Sequence, residues 1–220
     1  MLSRYPDRSA AGKILAGQLA HYALRPDVVV LALPRGGVPV AFEVARALGA
    51  PLDVFLVRKL GVPGYEELAM GAIATGGVRI LNDAVISEMQ IPAHLIEKAA
   101  ERELAELCRR ESLYRGDRPA PELRDRTVVL VDDGLATGST MRAAVTAVRQ
   151  QRPARVVVAV PVSAPETYAE FTSEVDEVLS PLTPDSFRAV GQWYEDFPQT
   201  SDDEVRRLLA EARNEQPGLI

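Results

Sequence analysis

Cysteine is nearly missing from this chain, with Cys108 standing alone among 220 residues. An internal disulfide framework is therefore excluded, and a reducing compartment, the cytoplasm, is the expected setting. Histidine is almost as scarce. His21 and His94 lie too far apart to form a ligand pair, so no dedicated zinc site is expected. Lysine occurs three times against 22 arginines, which makes each lysine easier to weigh. No run of about 18 apolar residues exists, so no membrane span is expected. The opening MLSRYPDRSAAGKILAG has no apolar core followed by a cleavage site, and export is not expected. The formal net charge of −6 argues against bulk nucleic-acid binding.

What is present is a chain that is 47% hydrophobic and long enough to bury a full core. One domain spanning 1–220 is expected, with its core at about 9–180 and a C-terminal extension at about 181–214. Ser9 to Tyr22 has helical periodicity, with Ser9 as the N-cap. VVVLAL (28–33) is a continuous apolar run suited to a strand covered on both faces. A helix ending at Gly49 and a second strand, LDVFLVRK (52–59), complete a βαβ unit. GVPGYEEL carries the breakers of a loop, and the segment from Lys59 to Leu68 reads as mobile. AMGAIATGGVRILN reads as a hairpin about Thr75-Gly76-Gly77. A long charged helix runs from Pro92 to Tyr114. Between Glu101 and Arg126, seven arginines face seven acids, the pattern of a salt-bridged surface rather than a basic patch. Strands at RTVVLVDD, ARVVVAVPV and EVDEVLSPL alternate with helices, and SDDEVRRLLAEARNE closes the chain as an amphipathic helix. The predicted fold class is α/β, a parallel central sheet flanked by helices, with a β-hairpin region and extra C-terminal material.

The stretch VVLVDDGLATGST (128–140) carries the chemistry. Adjacent carboxylates at a strand end repel each other, and no cation in the local sequence relieves them. Asp132 and Asp133 sit where open parallel sheets bind ligands. The glycines and hydroxyls after them run into a helix N-terminus, an anion cradle sized for phosphate. Vicinal ribose hydroxyls suit the carboxylates, and a magnesium ion would relieve their charge. A sugar phosphate satisfies both halves. A P-loop needs Gly-Lys-Ser/Thr, and no lysine follows Lys98; LPRGGVPVA does not supply a dinucleotide GxGxxG.

VVLVDDGLATGST closely resembles the ribose-phosphate signature of type I phosphoribosyltransferases, which use 5-phosphoribosyl-1-diphosphate (PRPP). LALPRGG (31–37) looks like the family's diphosphate loop, which commonly holds a cis peptide, and VRK with GVPGYEE matches the position of its closing loop. The resemblance implies that Asp132 and Asp133 hold the ribose hydroxyls and Ala136, Thr137, Gly138, Ser139 and Thr140 hold the 5′-phosphate. Arg35, Gly36 and Gly37 would hold the diphosphate with Mg2+, which Asp132 and Asp133 reach indirectly through PRPP or water. Arg35 and Lys59 are the implied catalytic residues, although Lys59 also fits a surface stem. TPDSFRAVGQWYEDF (183–197) resembles the C-terminal hood of purine-salvage members, with a longer gap before Tyr194 and Asp196. Phe187 or Trp193 could stack a flat base or simply pack the core. The whole chain also resembles phosphoribosyltransferases of uncharacterised substrate, sometimes fused to a hydrolase domain. The expected partners are PRPP and a nitrogen-containing small-molecule acceptor, with no membrane, and a homodimer is compatible with the reading. The alternative is a non-catalytic PRPP sensor that binds RNA or DNA, which the acidic balance counts against.

Overall fold

The structure, a computed structural model, describes residues 4–215. Its first half contains α1 (Arg8–Gln18), β1 (Val28–Ala32), α2 (Gly37–Leu48), β2 (Leu52–Val54), β3 (Val57–Val62), β4 (Tyr65–Ala74), β5 (Val78–Leu81) and α3 (Asp83–Glu88). The second half contains α4 (Ala93–Arg115), β6 (Thr127–Val131), α5 (Ser139–Gln150), β7 (Arg155–Ala159), α6 (Pro165–Glu174), β8 (Glu177–Leu179) and α7 (Asp202–Glu215). Short 3-10 turns lie at Ala20–Tyr22 and Val190–Trp193.

The apolar runs at 28–32, 127–131 and 155–159 form the middle of a five-stranded, all-parallel sheet of order β2-β1-β6-β7-β8. Side chains alternate across it. Val28, Val30 and Ala32 face one apolar layer with α2 and α7, while Val29 and Leu31 face another with α5 and α6. Both faces are thus covered, which is why these strands read as continuous rather than alternating hydrophobics. In the register, Ala32 lies beside Val131, so β1 and β6 end side by side. From there β1 leads outward to β2 and β6 leads the other way to β7. That divergence opens the crevice in which an α/β sheet binds its ligand.

Three local expectations need correction. Asp7, not Ser9, caps α1: its Oδ1 accepts from the Ala10 N–H at 2.7 Å, while the Ser9 hydroxyl turns to donate to Glu43. The run 52–59 is not one strand. β2 pairs with β1, the chain leaves that sheet through Phe55 and Leu56, and β3 joins β4 and β5 in a separate antiparallel sheet. The Leu56 N–H is met at this transfer by the Thr75 hydroxyl at 2.9 Å. GVPGYEEL is mostly strand rather than loop, a hairpin turning at Pro63-Gly64 with register shifts about Gly61. Glycine and proline there mark a bulge and a tight turn. The hairpin about Thr75-Gly76-Gly77 and the long helix after Pro92 form as expected. Among the described residues, no helix is long and apolar enough to cross a membrane.

Candidate active site

β6 delivers Asp132 and Asp133 just past its last paired residue. Asp132 Oδ1 accepts from the Asp133 backbone N–H at 2.8 Å. Leu135 then anchors the following loop by donating to the Val162 carbonyl at 2.9 Å. Gly138 sits in the left-handed region at φ 72°, and a Cβ there would lie 2.7 Å from the Phe171 ring. Only glycine meets both demands. The first turn of α5 starts at Ser139 with no side chain capping it, so its N–H groups point free at the positive end of the helix dipole. Arg142 holds the loop from behind: it donates to the Thr137 carbonyl at 3.3 Å and pairs with Glu170 and Glu174.

Asp132, Gly134, Ala136, Thr137, Gly138, Ser139 and Thr140 enclose one cavity of about 170 Å³ with Leu135, Met141 and Val190. The Leu33–Gly37 turn lies against it, beginning with Leu33 N–H donating to the Val131 carbonyl at 2.8 Å. The Pro34–Arg35 peptide is cis. A Cβ on Gly36 would fall 2.0 Å from Asp133 Oδ2, and one on Gly37 would fall 2.9 Å from Asp132 Cα. The two glycines therefore let the turn touch the carboxylate pair directly. Arg35 shares that turn, but its guanidinium faces Asp202 at 3.8 Å, at the start of α7. Lys59 lies on β3 in an adjoining groove with Ser139 and Thr140. Phe187 and Trp193 pack with Tyr5, Val162 and Tyr194 instead of lining the cavity. Val190, in the same 183–197 segment, is the residue that reaches it.

The carboxylate pair has a cationic partner, one that lies outside its local sequence. Arg8 comes from 125 residues away, and its Nε donates to Asp133 Oδ2 at 2.8 Å. The Tyr194 hydroxyl donates to the Asp133 carbonyl at 2.5 Å. Burial pushes the Asp132 carboxyl well above its ordinary value, and the Asp133 charge adds to the rise. Burial also raises Asp133, against the lowering influence of Arg8. Arg8, Arg142 and Val190 carry no local motif, and sequence reasoning missed them.

Among the described residues no group of three or more His, Cys, Asp or Glu side chains is placed to hold a metal. The Asp132 and Asp133 carboxylates each keep one oxygen uncommitted, and their charge would suit a magnesium ion reached indirectly, through a bound ligand or water.

A parallel sheet whose β1 and β6 turns meet beside a carboxylate pair and an open helix N-terminus, with a separate antiparallel hairpin sheet, is the fold of the type I phosphoribosyltransferase class. The chain belongs to the phosphoribosyl transferase domain family, whose pattern it matches over residues 4–197. It is 48% identical over 211 residues to a Mycobacterium tuberculosis H37Rv protein named only at family level, as a phosphoribosyl transferase. That match covers 96% of this chain and 47% of the relative, so the chain spans about half the length of that relative. The crystal structure of TT1426 from Thermus thermophilus is similar at 45% identity and a TM-score of 0.82, covering 94% of this chain and 98% of that one. The bifunctional protein PyrR of Chloroflexus aurantiacus is 35% identical over 138 residues, 57% of this chain and 65% of that protein.

Proposed function

We propose that this chain transfers a phosphoribosyl group from PRPP to a nitrogen-containing acceptor and releases diphosphate. One observation carries the reading: the carboxylate pair, the open helix N-terminus of α5 and the Gly36-Gly37 turn meet at a single sheet edge. The 5′-phosphate takes the free N–H groups of residues 136–140. The ribose diol donates to the uncommitted oxygens of Asp132 and Asp133. Diphosphate lies along residues 35–37, where Arg35 exchanges Asp202 for a phosphate oxygen, and Lys59 reaches in from the neighbouring groove. Asp132 and Asp133 would hold magnesium indirectly, through PRPP or water, and the ion would supply positive charge to the leaving diphosphate.

In the reaction the acceptor nitrogen bonds to ribose C1 as the C1–O bond breaks, and that electron pair leaves with diphosphate. The proton on the acceptor nitrogen passes to solvent. Nothing covalent is asked of the protein. Its work is alignment, electrostatic screening of the leaving group and exclusion of water.

The nucleic-acid-binding alternative finds less support on the surface. Arg102, Arg109, Arg110 and Arg115 of α4 all pair with carboxylates, which lowers the free positive charge available to phosphates. A panel of nucleobases and simple amines, assayed for PRPP- and magnesium-dependent diphosphate release, tests the proposal. At least one acceptor should release diphosphate above the acceptor-free rate, and D132N/D133N should abolish the difference. Release from no acceptor, or undiminished release by the double variant, overturns it.

A further inference from the structure

Arg8 is nine-tenths buried and spends its guanidinium in three directions at once. Its Nε donates to Asp133 Oδ2 at 2.8 Å, and its Nη1 donates to the Pro198 carbonyl at 2.7 Å. Its Cζ stands 3.7 Å from the centre of the Phe197 ring. Phe197 stacks on Tyr194, at 4.8 Å between ring centres, and the Tyr194 hydroxyl bonds the Asp133 carbonyl. The segment before Arg8 belongs to the same assembly. Tyr5 N–H donates to the Trp193 carbonyl, Glu195 N–H to the Tyr5 carbonyl and Asp196 N–H to the Pro6 carbonyl, all at 2.8–2.9 Å. Two elements distant in sequence, the entry to α1 and residues 190–198, therefore meet the sheet edge at one residue, Asp133.

We propose that Arg8 is a positioning residue that ties the seat of the 190–198 segment to the carboxylate of Asp133. A guanidinium suits this task because its planar fork can hold a carboxylate and a carbonyl in fixed relative directions, whereas an ammonium is a single point. With Oδ2 fixed by Arg8, Asp133 keeps Oδ1 free for a ligand, and its rotamer is set before the ligand arrives. Val190, on the tied segment, lines the phosphate cavity and packs on Gly134. The tie thus connects one wall of the cavity to the group on its floor. The ligand arm of this inference rests on the proposed function; the tie itself does not.

The chain has one tryptophan, Trp193, on the tied segment, and it reports the seat without any ligand. In ligand-free protein, R8Q and D133N should each shift Trp193 emission, and the double variant should shift no further than the larger single effect. R8K, which keeps the charge but loses the fork, should fall between R8Q and wild type. With PRPP and magnesium in a calorimetric titration, R8Q should lose on the order of tenfold in affinity, as for one charge-assisted contact. In the D133N background the same change should have no further effect, whereas a merely structural arginine would add its loss to that of D133N. Unchanged emission in both R8Q and R8K, or additive losses in the cycle, overturns the inference; should R8Q not fold, R8K completes the same cycle. A wild-type chain that binds no PRPP yet shows the non-additive emission shifts would sink the proposed function and leave the tie standing.

Discussion

Asp132 Oδ1 accepts from the next backbone N–H, and Asp133 Oδ2 accepts from Arg8, so each carboxylate keeps one oxygen uncommitted. The two acids are nonetheless unequal, because the cation serves only Asp133. Asp132 is held above the ordinary carboxylate value of 3.8 by burial first and by its neighbour second. An acid raised on folding stabilises the fold in its protonated form. That contribution is complete below 3.8 and is lost as pH climbs through the raised value. Asp27 runs the opposite way: its bond from Arg25 holds it at about 2, and its contribution is lost only as pH falls below the ordinary range. The melting temperature of ligand-free protein should therefore decline as pH rises above the ordinary carboxylate range, and D132N should flatten that decline. D133N should instead lose stability at neutral pH, about 1–3 kcal/mol, because it leaves buried Arg8 without a charged partner. Thermal melts across pH for the two single variants check both statements. A D132N profile that matches wild type would show that another group causes the slope.

At the scale of elements, the strands and helices were legible wherever one local rule governed. Residues 28–33 and 128–131 are apolar at every position because both faces of the sheet are covered, and that pattern needs no long-range information. The strand at 52–59 misled because Phe55 and Leu56 continue the apolar run while the backbone passes between sheets; burial is unbroken where pairing is not. The cradle was legible in the same way, since a glycine at the foot of a helix and hydroxyls in its first turn announce themselves locally. Arg8 and Val190 were not, because an ion pair across 125 residues and a side chain folded over Gly134 leave no mark on neighbouring sequence. The element-level dependence is sharpest at Gly138. Alanine there must adopt φ 72° and place its methyl against Phe171. Strain and crowding together should cost about 1–3 kcal/mol, read as a lower urea midpoint with an unchanged slope. A midpoint equal to wild type would mean that α5 shifts freely, and that the cradle is not fixed by its packing on α6.

At the scale of the whole molecule, the site draws on residues from Arg8 at the start of α1 to Val190, so a ligand that bridges them should stabilise the fold as a unit. A ligand bound only by the native state adds RT ln(1 + [L]/Kd), about 2.7 kcal/mol at a hundredfold excess over Kd. For a chain of this size, each kcal/mol moves the melting temperature by about 2–4 °C, so saturating PRPP with magnesium should raise it by roughly 5–10 °C. On the proposed reading the D132N/D133N variant loses its charge-assisted bonds to the diol, and it should show little of that rise. Bulk RNA at physiological salt supplies the contrast. The chain carries a net charge of −6, and the α4 arginines pair with Asp53, Glu103, Glu106 and Glu111. RNA binding gains mainly from cations free to displace the counterions on phosphates, and here those cations are committed. Differential scanning fluorimetry with PRPP and magnesium, with magnesium alone and with RNA reads all three cases on one instrument. A shift with RNA as large as that with PRPP would favour a nucleic-acid-binding sensor. No shift with PRPP, in protein that melts cooperatively, would remove the phosphoribosyl-binding reading at its root.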